Sequence, residues 1–114
     1  MPTEPGVSPL EFHVLLATAA GPQYGYAVKQ AVEEESEGVL HPGPGTLYRV
    51  IGRLIARGLL EETTSPTRDP HPGLARRWYQ LTGAGRLALG GEVARQRRVA
   101  AIAAQRLGAL EEAP

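Results

Sequence analysis

Three arginines, Arg49, Arg53 and Arg57, recur at every fourth position within GPGTLYRVIGRLIARGLL, residues 43–60. On a helix that spacing gathers them along one side together with Thr46, with Gly45, Gly52 and Ala56 between them. Guanidinium forks match the paired acceptors of guanine edges and the oxygens of phosphates, and small neighbours let another surface come close. The remaining positions, Leu47, Val50, Ile51, Leu54 and Ile55, form an apolar stripe at helical period. Such a rod, one side for burial and one side small and basic, has the right build for lying in a DNA major groove. Pro44 suits its first helical position, where a missing N–H costs nothing, and Gly58 closes it.

The elements that must hold this rod are legible on both sides of it. Ser8, Pro9 and Glu11 make a capping box with proline at the first helical position, and Val7 and Phe12 occupy the positions of a hydrophobic staple. The helix they open is apolar on more than one side through Leu10, Phe12, Val14, Leu15, Leu16 and Ala17, which predicts one face in its own core and one against a partner, until Gly21-Pro22 ends it. A second helix is expected over about residues 25–36, with Val28, Ala31 and Val32 inward and acidic residues at its end. Val39-Leu40 reads as a very short strand. After Gly58, LLEETTS and ARRWYQLT read as two strands around a proline-rich loop, a hairpin whose tip carries Arg68 and His71. Arg77, Tyr79 and Leu81 fall on one face of the second strand, and Arg76, Trp78 and Gln80 on the other.

Thr82 then caps a last helix reaching to about Leu110. Leu89, Val93, Gln96, Ala100, Ala103, Leu107 and Leu110 follow alternating steps of four and three, a heptad seam widened by Val99 and Ile102. So small a domain leaves little room to bury that seam, so pairing with a second copy is expected; a helix folded back on its own core is the alternative. Helix, helix, helix, hairpin, helix is the order of a winged helix-turn-helix, an α+β but mainly α fold. The expected division is a leader over 1–7, the winged helix-turn-helix over 8–82, a dimerisation helix over 83–110 and a tail over 111–114.

Bulk composition narrows the function classes. The chain has 114 residues, no cysteine and a formal net charge of zero. Disulfides, thiolate metal sites and thiol catalysis are therefore out. His13, His41 and His71 show no ligand spacing, and nothing resembles a catalytic triad, phosphate loop or acid/base pair, so neither enzyme, metal nor cofactor is expected. No apolar run approaches a membrane span or a signal peptide, and the expected location is the cytoplasm. Eleven of the twelve basic residues are arginine, and with abundant Gly, Ala and Pro this fits a GC-rich bacterial genome. The charge is unevenly spread: −5 over residues 1–40, +4 over 41–86 and +1 over 87–114. A polyanion responds to local sign within a Debye length, so a neutral total is compatible with DNA binding.

Four segments resemble the PadR family of bacterial transcriptional regulators, in family order and spacing: Gly21-Pro22-Gln23-Tyr24-Gly25-Tyr26, Gly43-Pro44-Gly45-Thr46-Leu47-Tyr48-Arg49, Arg57-Gly58-Leu59-Leu60-Glu61, and Arg77-Trp78-Tyr79-Gln80-Leu81-Thr82-Gly83-Ala84-Gly85-Arg86. The resemblance spans about residues 8–108, and the short C-terminal part is similar to the smaller subfamily with one dimerisation helix. The family often has His where Tyr24 stands and Tyr where Trp78 stands. A drug-binding branch sandwiches planar ligands between tryptophans of the last helix, whereas this chain has no aromatic residue after Tyr79. The resemblance implies a homodimeric regulator, expected to be a repressor, binding a palindromic double-stranded operator through helix 44–57 and wing 62–76, with small aromatic or lipophilic effectors. Gly45 and Thr46 at the helix start and the Tyr48 hydroxyl are the expected phosphate contacts, with the Tyr26 hydroxyl added by the resemblance. Arg49 and Arg53 are the candidates for reading bases, and Arg68, Arg76 and Arg77 for sequence-blind contacts from the wing. Phe12, Leu16, Leu89, Val93, Ala100, Ala103, Leu107 and Leu110 are the expected dimer contacts. A winged-helix module that binds protein rather than DNA is the alternative, since one fold serves both uses.

Overall fold

In a computed structural model, residues 6–65 and 77–112 are described. Arg68, His71 and Arg76, and with them the tip of the wing, lie outside the described residues, as does most of the leader. The elements are α1 (Pro9–Ala17), β1 (Gln23–Tyr24), α2 (Gly25–Glu35), α3 (Pro44–Ala56), β2 (Leu60–Thr63), β3 (Trp78–Leu81) and α4 (Gly83–Glu112).

The capping box forms as its residues require. Ser8 N–H donates to Glu11 Oε1 at 2.8 Å, and Glu11 N–H donates to Ser8 Oγ at 3.2 Å. Glu11 is 5% exposed, and its second oxygen accepts from Arg57 Nη1 at 3.2 Å. One carboxylate therefore caps the start of α1 and holds the end of α3. Burial opposes its charge, but the Ser8 hydrogen bonds and the Arg57 and Arg53 charges outweigh that and bring its pKa below the usual value.

Helix α3 buries Leu47, Val50, Ile51 and Leu54 against α1, α2 and the sheet. Its end is a Schellman motif: Gly58 N–H donates to Ile55 O and Leu59 N–H to Leu54 O, both at 2.9 Å. Gly58 takes φ 76°, where a side chain is strained, and Leu59 beyond it is buried with Leu54.

Among the described residues the sheet has three strands in the order β1-β3-β2, all antiparallel. Leu60 faces Leu81 and Thr63 faces Trp78. The third strand is β1 and not residues 39–40. Val39 stands out in solvent, and residues 39–40 form no strand. Instead Gln23 and Tyr24 pair with Tyr79 and Trp78, on the edge of β3 that β2 leaves open, where the Tyr24 ring lies 5.2 Å from Trp78. The expected alternation on β3 holds, with Tyr79 and Leu81 buried and Trp78 and Gln80 half-buried.

Thr82 joins α4 to the end of α3. Its hydroxyl donates to Gly58 O at 2.6 Å and accepts from Gly85 N–H at 2.9 Å. Gly85 is buried so close to the Leu59 carbonyl that a Cβ there would collide with it. Two expected dimer contacts are used inside the subunit: Phe12 and Leu89 are both buried in its own core, and Val93 packs on that core at its edge. The reason is length, because the first turns of α4 run alongside α1 before the helix leaves the domain. From Gln96 onward the described seam is bare, with Ala100, Ala103 and Leu107 exposed; the Leu110 side chain is outside the described set.

Glu11 supplies a pH test. Because its folded pKa is lowered, its contribution is present above the unfolded value of about 4.5 and is lost as pH falls through the folded one. Glu11→Gln is expected to cost about 1–3 kcal/mol at neutral pH. In urea unfolding the gap to the unaltered chain should close as the pH falls below 4.5; a gap independent of pH would refute the ionised pair.

Candidate nucleic-acid interface

With the apolar stripe turned into the core, the other side of α3 is fixed in the open. Gly45, Thr46, Tyr48, Arg49, Gly52, Arg53 and Ala56 are all exposed. Arg57 departs from the expected basic face: it is the C-cap, half-buried, and is drawn inward to Glu11. Ile55 departs the other way. Placed on the buried stripe by its type, it is 37% exposed, because it faces the space between α3 and the wing rather than the core.

That space is a groove of about 240 Å³ lined by Tyr48, Ile51, Gly52, Ile55, Glu62, Arg77 and Tyr79. Arg77 Nε stands 3.6 Å from Glu62 Oε1, with both side chains largely exposed, so the pair adds little to stability but gives the arginine a direction. Burial raises the Tyr79 pKa, assisted by Tyr48 and Glu62, which keeps that phenol neutral. Glu62 was not singled out by sequence; the alternation of β2 with β3 is the signal that sets it beside Arg77.

Tyr48 reaches the start of α2, the helix turn that also carries Tyr26. The Tyr48 ring lies directly on the Gly25 backbone, so close that a Cβ at Gly25 would collide with its hydroxyl. Gly25 is thus the seat that orients Tyr48, next to Tyr26, which is 60% exposed. Neither α2 nor α3 has a side-chain hydrogen bond at its N-cap. Among the described residues no group of His, Cys, Asp or Glu could hold a metal ion, and no helix is long and apolar enough to cross a membrane.

The glycines of α3 have no internal explanation. A Cβ at Gly45 or Gly52 would meet nothing within 4 Å among the described residues. A helix-interior glycine such as Gly52 is less stable than alanine by about 0.5–1 kcal/mol, and no described residue of the subunit offsets that cost.

The family model described as the transcriptional regulator PadR-like family matches residues 14–91. The chain belongs to the PadR-like family. It is accordingly a transcriptional regulator and not an enzyme. Its fold is similar to that of a PadR family transcription regulator from Clostridium difficile, with TM-score 0.72, 19% identity, and 88% of this chain and 99% of that one covered. It is also similar to Bacillus subtilis PadR, whose structure was solved in complex with operator DNA (TM-score 0.60, 20% identity, 75% of this chain and 47% of that one). An uncharacterised 37.1 kDa protein in transposon TN4556 of Streptomyces fradiae is 40% identical over 73 residues, 64% of this PadR-like chain. The match spans 19% of that protein's length.

The unexplained glycine yields a direct test. Gly52→Ala in this PadR-like chain is expected to stabilise the fold by about 0.5–1 kcal/mol. Gly85→Ala, aimed at the Leu59 carbonyl, should destabilise by about 1–3 kcal/mol. Thermal unfolding of both variants checks the pair, and a destabilised Gly52→Ala would mean that the subunit itself needs that glycine.

Proposed function

We propose that this chain is a homodimeric repressor that binds a two-fold symmetric DNA operator, α3 entering the major groove and the wing resting on the backbone. The observation that carries the reading is the open side of α3, where exposed arginines alternate with glycines that packing among the described residues does not require. In this reading Thr46, Tyr48 and Tyr26, with the free N–H groups near Gly45, hold phosphates, and Arg68, Arg76 and Arg77 add sequence-blind contacts from the wing. Residues 8–82 act as the DNA-binding unit and 83–110 as the dimerisation helix, within a bacterial cytoplasm. That Bacillus subtilis PadR shares this fold and was solved on its operator supports the placement.

The second copy is supported by the outer half of α4. Val99, Ile102 and Leu107 are exposed there beside the exposed Ala100 and Ala103, an apolar strip on a helix that has left its own domain. Pairing α4 with its twin covers that strip, with Leu16 and Val93 at the border, and sets two copies of α3 against half-sites roughly 34 Å apart. A small aromatic or lipophilic effector would act by favouring a dimer with the wrong spacing.

Two measurements test this. Footprinting upstream of its own gene should show two protected patches one helical turn apart, with affinity falling steeply as salt rises. No affinity for duplex DNA in dilute buffer would favour a protein-binding module instead. Light scattering should give twice the chain mass, and the Ile102→Glu, Leu107→Glu double variant should be a folded monomer that has lost the operator. A dimer unaffected by that pair of charges would move the interface elsewhere.

A further inference from the structure

Resting on the DNA-binding reading, we infer that the two outward arginines of α3 have different tasks: Arg49 reads one guanine in each half-site, and Arg53 holds the backbone. At about 100° per residue, Gly45, Arg49, Gly52 and Ala56 fall within about 60° of one another around the helix axis. They lie diametrically opposite the buried Leu47, Val50, Ile51 and Leu54. This ridge is the part of α3 that reaches deepest when the stripe behind it stays in the core. Only Arg49 on it has a side chain long enough to cross to a base edge.

Its neighbours are as small as residues can be. Gly45 stands one turn before Arg49 and Gly52 one turn after it, and at neither would a Cβ touch any described residue. The helix backbone can therefore sink toward the base pairs and bring the Arg49 fork level with O6 and N7 of a guanine, a bidentate fit that no other base offers. Arg49 is exposed and has no hydrogen bond or ion pair with another described residue, so no described residue competes for it. The flanking ridge positions have no side chain to read the adjoining pairs, which makes the readout sparse.

Arg53 is set apart from this ridge. It lies about 40° further round the helix than Arg49, on the flank that carries Thr46 and Arg57, and its charge is felt by the buried Glu11 carboxylate. A side chain on the flank of a groove-bound helix faces the groove wall, which is sugar and phosphate. On the opposite flank Tyr48 and Ile55 turn toward the wing.

Selection from a random duplex pool, followed by affinity measurement on the recovered sequence and a scrambled one, tests the division with Arg49→Ala, Arg49→Lys and Arg53→Ala. The unaltered chain should recover half-sites sharing one fixed guanine. Arg49→Ala should bind the recovered duplex roughly ten- to hundredfold more weakly while approaching its own affinity for the scrambled one. Arg49→Lys keeps the charge but lacks the fork, and should restore general affinity without restoring the preference. Arg53→Ala should weaken both duplexes by the same factor and lower the salt slope by about one. The inference is overturned if Arg53→Ala erases the preference, or if Arg49→Ala recovers the same sequence as the unaltered chain. If the folded, unaltered chain binds neither duplex at low salt, the DNA-binding reading itself fails and this inference with it.

Discussion

The rotational setting of α3 is the constraint on which everything else depends. Burial of Leu47, Val50, Ile51 and Leu54 leaves the helix one way to face. Both ends are then pinned so that it cannot roll. The N-terminal end begins at Gly43 and Pro44, with the Tyr48 ring seated on Gly25. The C-terminal end is closed by the Schellman turn through Gly58 and by Arg57 reaching Glu11. A rotation that exposed one buried leucine would cost about 1.5–3 kcal/mol in lost burial, enough to keep the outward ridge fixed. Specific contact with a rigid duplex needs a ridge that does not wander.

The same turn that ends α3 begins α4. Thr82 bridges Gly58 and Gly85, and Gly85 lies against the Leu59 carbonyl. The end of α3 and the start of α4 are therefore tied to one another directly. In the proposed dimer, a change in how two α4 helices cross would be passed through this link to the separation of the two α3 helices. On the proposed reading, this is the route by which a signal at a dimer seam would alter fit to half-sites of fixed spacing.

Much of this was written in local chemistry. Ser8-Pro9-Leu10-Glu11 announces a capping box, Gly43-Pro44 a helix start, and Arg57-Gly58 a helix end; all three appear as their residues dictate. What the sequence concealed is non-local. Gln23-Tyr24 is a strand only because β3 has a free edge beside it. Glu11 was legible as a cap but not as the partner of Arg57, 46 residues away. That pairing removes one arginine from a face that helical spacing alone would credit with three. Ile55 looked like core by type, yet the sheet lies too far round to cover it. Likewise Phe12 and Leu89 could be assigned to a seam but not to which subunit's core they serve.

The central claim is that the outward ridge of α3 lies against base edges in the major groove. Methylation interference asks this of the DNA itself, because N7-methylguanine blocks that groove and leaves the minor groove open. Duplex carrying sparse N7-methylguanine is mixed with the protein, and the bound and free fractions are compared position by position. Methylated guanines should be missing from the bound fraction at symmetric positions in two patches about one helical turn apart. Equal frequencies in bound and free DNA at every guanine would contradict the account.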